Sequence, residues 1–310
     1  MLKAEIDNKW NFRNMFRTIA TVCSYLKGKK ILKGSENYKG ITFIEWIWIS
    51  LTYARYEMYK EGFKKFDFSK SKFLVTYGEW VPEVAAIIYA NETGLRTIVN
   101  AQAIYALAGK GKYPDYAKMI LVWGEKDKSL INKKRPDKKI YVCGNPQIRK
   151  IKMSDDIHVI GMALGAHDNL EHNQKMIDIA EQYAQKKNMK IFLRLHPGDD
   201  INNYRINHLI TKECRDLDSA AFILVHWTSM FAIYMRQGKK VFAYESPDET
   251  KNMPVDKRFL FHGVESLEHI VRKNNGYDTT EYGRLFIECI GEEADQLYRK
   301  RFHQFHIECK

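Results

Sequence analysis

The chain has 310 residues, about twice the usual single-domain length, so two domains are expected. Hydrophobic residues at 45 %, aromatics at 13 % and only 7 prolines exclude a disordered or low-complexity chain, while 5 scattered cysteines without a CxxC pair argue against a disulfide framework or a structural zinc site and fit a reducing cytosol. The net charge of +12 is unevenly placed: residues 1–150 hold 28 Lys+Arg against 14 Asp+Glu (+14), and residues 151–310 hold 22 against 24 (−2), so the first half is expected to meet an anion or to carry a lysine-rich solvated surface.

In chain order, Met1–Trp10 has charges where a secretory signal has its apolar core, so no export is expected. The longest apolar stretch, Ile41–Ala54, is too short for a bilayer span and contains Glu45. It falls in an aromatic-loaded amphipathic helix, Phe43–Phe63. Short runs rich in Val, Ile, Phe and Tyr then predict strands at Lys72–Tyr77, Arg96–Ala101, Lys118–Trp123 and Lys139–Cys143, with a helix over Val81–Ala90 opened by Pro82. The second half repeats the pattern, with strands at Ile157–Ala163, Lys190–Leu195, Ala221–Val225 and Lys240–Tyr244 and a weaker one at Arg258–Phe261. Its helices are Gln174–Lys186, behind a capping-box spacing of Asp168 and Glu171, Ser229–Arg236, stopped by Gly238, and a last one capped by Asp278 with Glu281 and running towards Arg301.

Two successive βα series predict an α/β protein of two Rossmann-like domains with parallel sheets. Gly144, Asn145 and Pro146 break the pattern, which sets an N-terminal domain at 1–146, a second at 147–280 and a C-terminal helix at 281–310 packing back on the first. Ligands of open α/β sheets lie beyond the carboxyl ends of the strands, so the residues just after each run carry the information.

Two such places stand out. Arg194-Leu195-His196-Pro197-Gly198-Asp199-Asp200 ends one strand, and alternation along the strand puts Arg194 and His196 on one face, a cation pair suited to a diphosphate or a nucleotide monophosphate leaving group. An Arg paired with Asp199 and a His that only ends the strand is the plainer alternative. Val225-His226-Trp227-Thr228-Ser229-Met230 joins another strand to a helix with Thr228 or Ser229 as N-cap, a ready anion site, and this strand is expected to neighbour the Arg194 strand. No Walker loop, GxGxxG, HExxH or DxD-like pair follows a strand, so a metal-free phosphate site is expected.

Trp123-Gly124-Glu125, Val142-Cys143-Gly144-Asn145-Pro146, Lys190–Pro197, the Thr228-Ser229 step and Lys239–Tyr244 together resemble bacterial surface-polysaccharide transferases of the GT-B fold. That group includes the bacterial sialyltransferases with His-Pro and Ser/Thr motifs and, more distantly, the teichoic-acid glycerophosphotransferases. The resemblance covers roughly residues 118–265 and the first 70 residues hardly at all. It implies a GT-B protein whose two domains face a cleft, with His196 and Pro197 bordering the nucleotide of the donor and Thr228 and Ser229 on its phosphate; Arg194 and Glu245, both at strand ends, are counted with them as nucleotide-binding candidates. Where the polyol-phosphate branch shows an Asp-Tyr-Ser-Ser-like string, this chain has His226-Trp227-Thr228-Ser229, which counts against that branch.

In such an architecture the base comes from the first domain, and Glu79 after strand Lys72–Tyr77 is the candidate, flanked by Tyr77 and Trp80 as a sugar platform. Glu83, one helical turn on, and His167 are reserves. The expected activity is an inverting sugar transfer from a nucleotide-activated donor, CMP-sugar slightly favoured, to a saccharide or lipid-linked oligosaccharide acceptor in capsule or other surface-polysaccharide synthesis. No cofactor is expected beyond that co-substrate. The location implied is cytoplasmic, with the basic half peripheral on the anionic inner face of the plasma membrane. The alternatives are a CDP-polyol phosphotransferase and, from another class, a nucleic-acid-binding protein, although no RNA-module signature is present and the aromatics fall at helical core spacings.

Overall fold

The computed structural model describes residues 56–68, 70–79, 81–107, 113–151, 156–165, 170–207, 210–213, 217–247, 253–273 and 278–307. Residues 56–63 are helical; the rest of the expected Phe43–Phe63 helix lies outside the described residues. The chain divides into two compact units, residues up to Asn100 with Pro114–Met119, and Ala101–Tyr113 with the chain from Ile120 onward.

Strands β1 (Phe73–Thr76), β2 (Arg96–Asn100), β3 (Met119–Val122) and β4 (Lys139–Val142) form one sheet in the order β1-β2-β3-β4. β1 and β2 pair in parallel, Thr76 opposite Val99, and helix α1 (Val81–Glu92) makes the crossover between them. Ile87 of α1 packs on Val99 and Ala117. Helix α2 (Glu125–Lys134) follows β3 directly.

The second sheet is six-stranded and parallel: β5 (Asp156–Ala163), β6 (Lys190–Arg194), β7 (Ile210–Glu213), β8 (Ala220–Val225), β9 (Val241–Tyr244) and β10 (Leu260–Phe261) lie in the order β10-β9-β8-β5-β6-β7. This is the doubly wound 3-2-1-4-5-6 order, with its switch point between β5 and β8. The expectation that the Arg194 and Val225 strands are neighbours is therefore corrected. β5 runs between them, with Ala163 opposite both Arg194 and Val225.

Both faces of this sheet are covered, as a parallel sheet requires. Ile160, Met162, Ile191, Leu193, Phe222 and Leu224 pack under helix α3 (Leu170–Lys187) through Met176, Ile177 and Ala180. Val159, Ala163, Ile223 and Val225 point the other way, towards Phe231, Ala232 and Met235 of helix α4 (Met230–Arg236). Alternation along each strand thus sorts the core into two layers. Helix α5 (Val264–Lys273) adds Leu267 and Ile270 to the first layer.

The expected last helix is two. Asp278 does cap, its side chain accepting the Glu281 N–H at 3.1 Å, but helix α6 ends at Arg284 (Thr279–Arg284) and α7 spans Gly291–Ile307. Phe286 and Ile287, both wholly buried, pull the intervening chain inward, and Gly291 at φ +58 restarts it. The Arg258–Phe261 strand is also shorter than expected, because Asp256 caps a 3-10 turn over Lys257–Phe259.

The inserted segment explains two of the motif runs. Trp123 O accepts the Glu288 N–H and Cys289 O accepts the Asn145 N–H, each at 2.9 Å. A Cβ on Gly124 would lie 2.3 Å from the Phe286 carbonyl carbon, and one on Gly144 would lie 2.1 Å from the Cys289 carbonyl oxygen. Gly144 also sits at φ +68, where glycine carries no steric penalty. Both glycines admit the 285–289 segment against the ends of β3 and β4, and Phe305 of α7 meets Tyr141 of β4 edge-on at 5.1 Å.

Candidate functional site

The carboxyl ends of β5, β6, β8 and β9 bring the candidate nucleotide residues to one edge of the second sheet. β6 ends at Arg194, half-buried, two residues after Phe192, which packs on the α4 face. Strand alternation stops there, because the next residues turn. Asp199 N–H donates to His196 O at 2.9 Å and Gly198 N–H to His196 Nδ1 at 3.4 Å. With Nδ1 accepting, the neutral imidazole carries its proton on Nε2. His196, Pro197 and Gly198 are exposed.

The β8 end is built differently. His226 is wholly buried, and Trp227 takes a left-handed conformation at φ +48. Ser229 is the N-cap of α4, yet its side chain makes no capping bond; Thr228 Oγ1 accepts the Met230 N–H at 3.3 Å instead. Thr228 and Ser229 remain half-exposed. Gly165, after β5, faces this turn at the switch point, where an added Cβ would come within 2.5 Å of His226 O. Glu245, after β9, lies 3.6 Å from the His262 imidazole.

Sequence reasoning missed the residues that join these loops. His172 and Asn173 are neighbours in the first turn of α3. His172 Nδ1 is 3.1 Å from Ser246 Oγ, beyond β9, and its ring centroid is 5.5 Å from that of His226. Asn173, wholly buried, exchanges bonds with Gly165 N–H and C=O at 3.3 Å each, meets His226 Nδ1 at 3.2 Å and donates to Tyr204 Oη at 3.0 Å. Tyr204 donates in turn to Asp199 Oδ2. Burial and the Asp199 carboxylate push the Tyr204 phenol above its usual range, so it stays protonated. The usable signal was a polar residue inside the apolar stripe of a helix that follows a strand.

In the other unit, Glu79 follows β1, and its carboxylate accepts three backbone N–H groups: Asp115 at 2.6 Å, Tyr116 at 2.9 Å and Ala117 at 2.9 Å. It ties the 115–117 loop to the β1 end. Tyr77 is 49 % exposed beside it. Glu83, in the first turn of α1, has one buried carboxylate oxygen without a hydrogen-bond partner among the described residues. Trp80 and His167 lie outside the described residues. Among the described residues no group of three or more His, Cys, Asp or Glu is placed to hold a metal ion, and no helix is long and apolar enough to cross a membrane.

No protein-family model matches the chain, and no curated protein matches its sequence. Among solved structures it is similar to a putative UDP-N-acetylglucosamine 2-epimerase from Listeria monocytogenes, at 12 % identity and TM-score 0.52, over 81 % of this chain and 77 % of that one. It is also similar to the UDP-GlcNAc 2-epimerase of Neisseria meningitidis bound to UDP-GlcNAc, at 15 % identity, TM-score 0.49 and 82 % of each chain. The epimerase of Methanocaldococcus jannaschii gives 12 % identity, TM-score 0.48 and 82 % of each chain. The likeness to the Listeria protein is one of fold, and with the strand orders above it makes this chain an α/β protein with two parallel sheets of GT-B-like type.

Proposed function

We propose that the protein is a nucleotide-sugar-dependent glycosyltransferase of surface-polysaccharide synthesis. The observation that carries this reading is the edge of the second sheet, where Arg194 and an exposed His196-Pro197 turn follow the strand beside the switch point. Residues 147–280 hold the donor, CMP-sugar first among the candidates, and residues 1–146 the acceptor. In the reaction an acceptor hydroxyl oxygen attacks the anomeric carbon, the bond from that carbon to the phosphate oxygen breaks, and the electron pair leaves with the nucleotide. Arg194 and the His196 Nε2–H supply positive potential and a donor to the departing phosphate. Thr228, Ser229 and Glu245 complete the nucleotide contacts.

The hydroxyl proton needs a base. Three amides already occupy the Glu79 carboxylate, so we assign Glu79 to the loop and the base to Glu83, one helical turn on. Tyr77 and Trp80 serve the acceptor sugar. The +14 half favours an acidic or diphosphate-linked acceptor at an anionic membrane surface.

The structural likeness to 2-epimerases favours a second reading, epimerisation of the bound nucleotide-sugar. One experiment separates them. The protein is incubated with CMP-, UDP- and GDP-sugars with and without a saccharide acceptor, and free nucleotide and sugar configuration are followed. Nucleotide release that requires acceptor supports transfer; a changed sugar configuration without acceptor replaces it with epimerisation. Release of CMP with a polyol phosphate moved to the acceptor would select the phosphotransferase alternative, and a melting point raised by single-stranded RNA alone would select the nucleic-acid reading.

A further inference from the structure

The loops that end β5, β6, β8 and β9 are tied to two adjacent side chains of one long helix, and the central one is an asparagine with no exposed surface. Its carboxamide has two acceptor sites and two donors, and all four are used. The oxygen takes the Gly165 N–H and faces His226 Nδ1, while the nitrogen gives to Gly165 C=O and to Tyr204 Oη. The reciprocal pairing with Gly165 fixes which way the amide points. His226 must therefore place a proton on Nδ1, since only a donor can face Asn173 Oδ1.

On the other side the donors run in one direction, from Asn173 to Tyr204 and from Tyr204 to Asp199. Asp199 also accepts the Asp200 N–H and the Asn203 amide, each at 2.9 Å, and its own N–H closes the His196 turn. The carboxylate thus anchors Asp199, whose backbone N–H closes the turn that carries His196 and Pro197. Apolar side chains would fill this space without the desolvation cost of burying Asn173, His226 and Tyr204, whereas directional hydrogen bonds restrict the arrangement of the loops they join.

We infer that Asn173 is a positioning residue for the nucleotide, joining the His196-Pro197 turn to the His226–Ser229 turn through Asp199, Tyr204 and Asn173. The inference deepens the reading of this edge as a nucleotide site and rests on it. Neither Asn173 nor Tyr204 touches the nucleotide; each acts by holding turns that do.

The test uses the full chain with Asn173→Ala and Tyr204→Phe, amide hydrogen exchange, imidazole nitrogen NMR, and calorimetric titration with CMP and with UDP. Tyr204→Phe should speed exchange in residues 195–200 and leave 226–229 unchanged. Asn173→Ala should speed both, weaken nucleotide binding about tenfold by lowering the competent population to about a tenth, and remove the Nδ1–H signature that His226 shows in the parent protein. A His226 proton on Nε2 in the parent, or unchanged exchange in both turns, overturns the proposal, as does unaltered nucleotide affinity in Asn173→Ala. If Asn173→Ala fails to fold, Tyr204→Phe decides, with unchanged exchange at 195–200 sinking the coupling. A parent protein that binds neither CMP nor UDP refutes the nucleotide reading, and the exchange and NMR results then judge the coupling by itself.

Discussion

Asp127 takes the Ala106 N–H on one carboxylate oxygen at 2.6 Å and, among the described residues, leaves the other without a hydrogen-bond partner, in a side chain with no exposed surface. Tyr105 and Tyr113 sit beside it, and the Tyr113 phenol is pushed up by its own burial and by the Asp127 charge. Burial outweighs the amide bonds and raises the Asp127 pKa from 3.8 to about 7. Between those values the folded state holds a proton that the unfolded chain has lost. The contribution is therefore fully present below pH 3.8 and disappears as pH rises through about 7. The span corresponds to at most ~4 kcal/mol. Asp127→Asn keeps the acceptor for Ala106 and carries no charge, so urea unfolding should show a variant more stable than the parent at pH 8 and a flatter profile from pH 4 to 7. A variant that loses stability at pH 8 would mean that the ionised carboxylate is what the site requires.

Glu79 should behave as a loop clamp. Glu79→Ala removes the acceptor for three amides of residues 115–117 and should cost about 1–3 kcal/mol in chemical unfolding. Glu79→Gln keeps one oxygen and should cost less than half of that, with transfer activity largely retained. Activity lost in Glu79→Gln at unchanged stability would return the base role to Glu79, while activity lost only in Glu83→Gln supports the assignment made above.

The second domain was legible in its strands and illegible in their order. Its four main apolar strands announce themselves by runs such as Ala221–Val225, and the observed limits differ from the expected ones by a residue at an end. β7 was missed because Ile-Thr-Lys-Glu is short and half charged, as an edge strand can be. Without β7 the winding of the sheet could not be read, so β6 and β8 were expected side by side. The break after Arg284 escaped for another reason: Asp278 is a true cap, but Phe286 and Ile287 leave the helix to fill the core, a tertiary choice that helical spacing does not carry. Of the candidate site, the turns at His196 and Thr228 follow from strand ends alone. Asn173 and Tyr204 do not, because their roles depend on which loops the fold brings to one helix.

Gly165 offers a direct probe of the switch point. A methyl group there would stand 2.5 Å from His226 O, a backbone atom that cannot rotate away. Gly165→Ala should cost about 2 kcal/mol and weaken nucleotide binding, because the β5 and β8 ends must part to admit it. Parent-like melting together with parent-like affinity would show that these ends are not held at their observed separation.

His196 calls for the opposite outcome. Its side chain is exposed, its only described hydrogen bond is the 3.4 Å contact from Gly198 N–H, and the turn itself is closed by its backbone carbonyl. Little packing depends on the imidazole, so His196→Ala should melt within the error of the parent protein. In the proposed transfer the ring presents an N–H towards the leaving phosphate, and its loss should then lower turnover by about 10²-fold while changing donor affinity much less. His196→Gln restores a donor of similar reach and should recover part of that loss. Full turnover in His196→Ala at parent-like stability would remove the His196-Pro197 turn from the chemistry and with it the main support for nucleotide transfer at this edge.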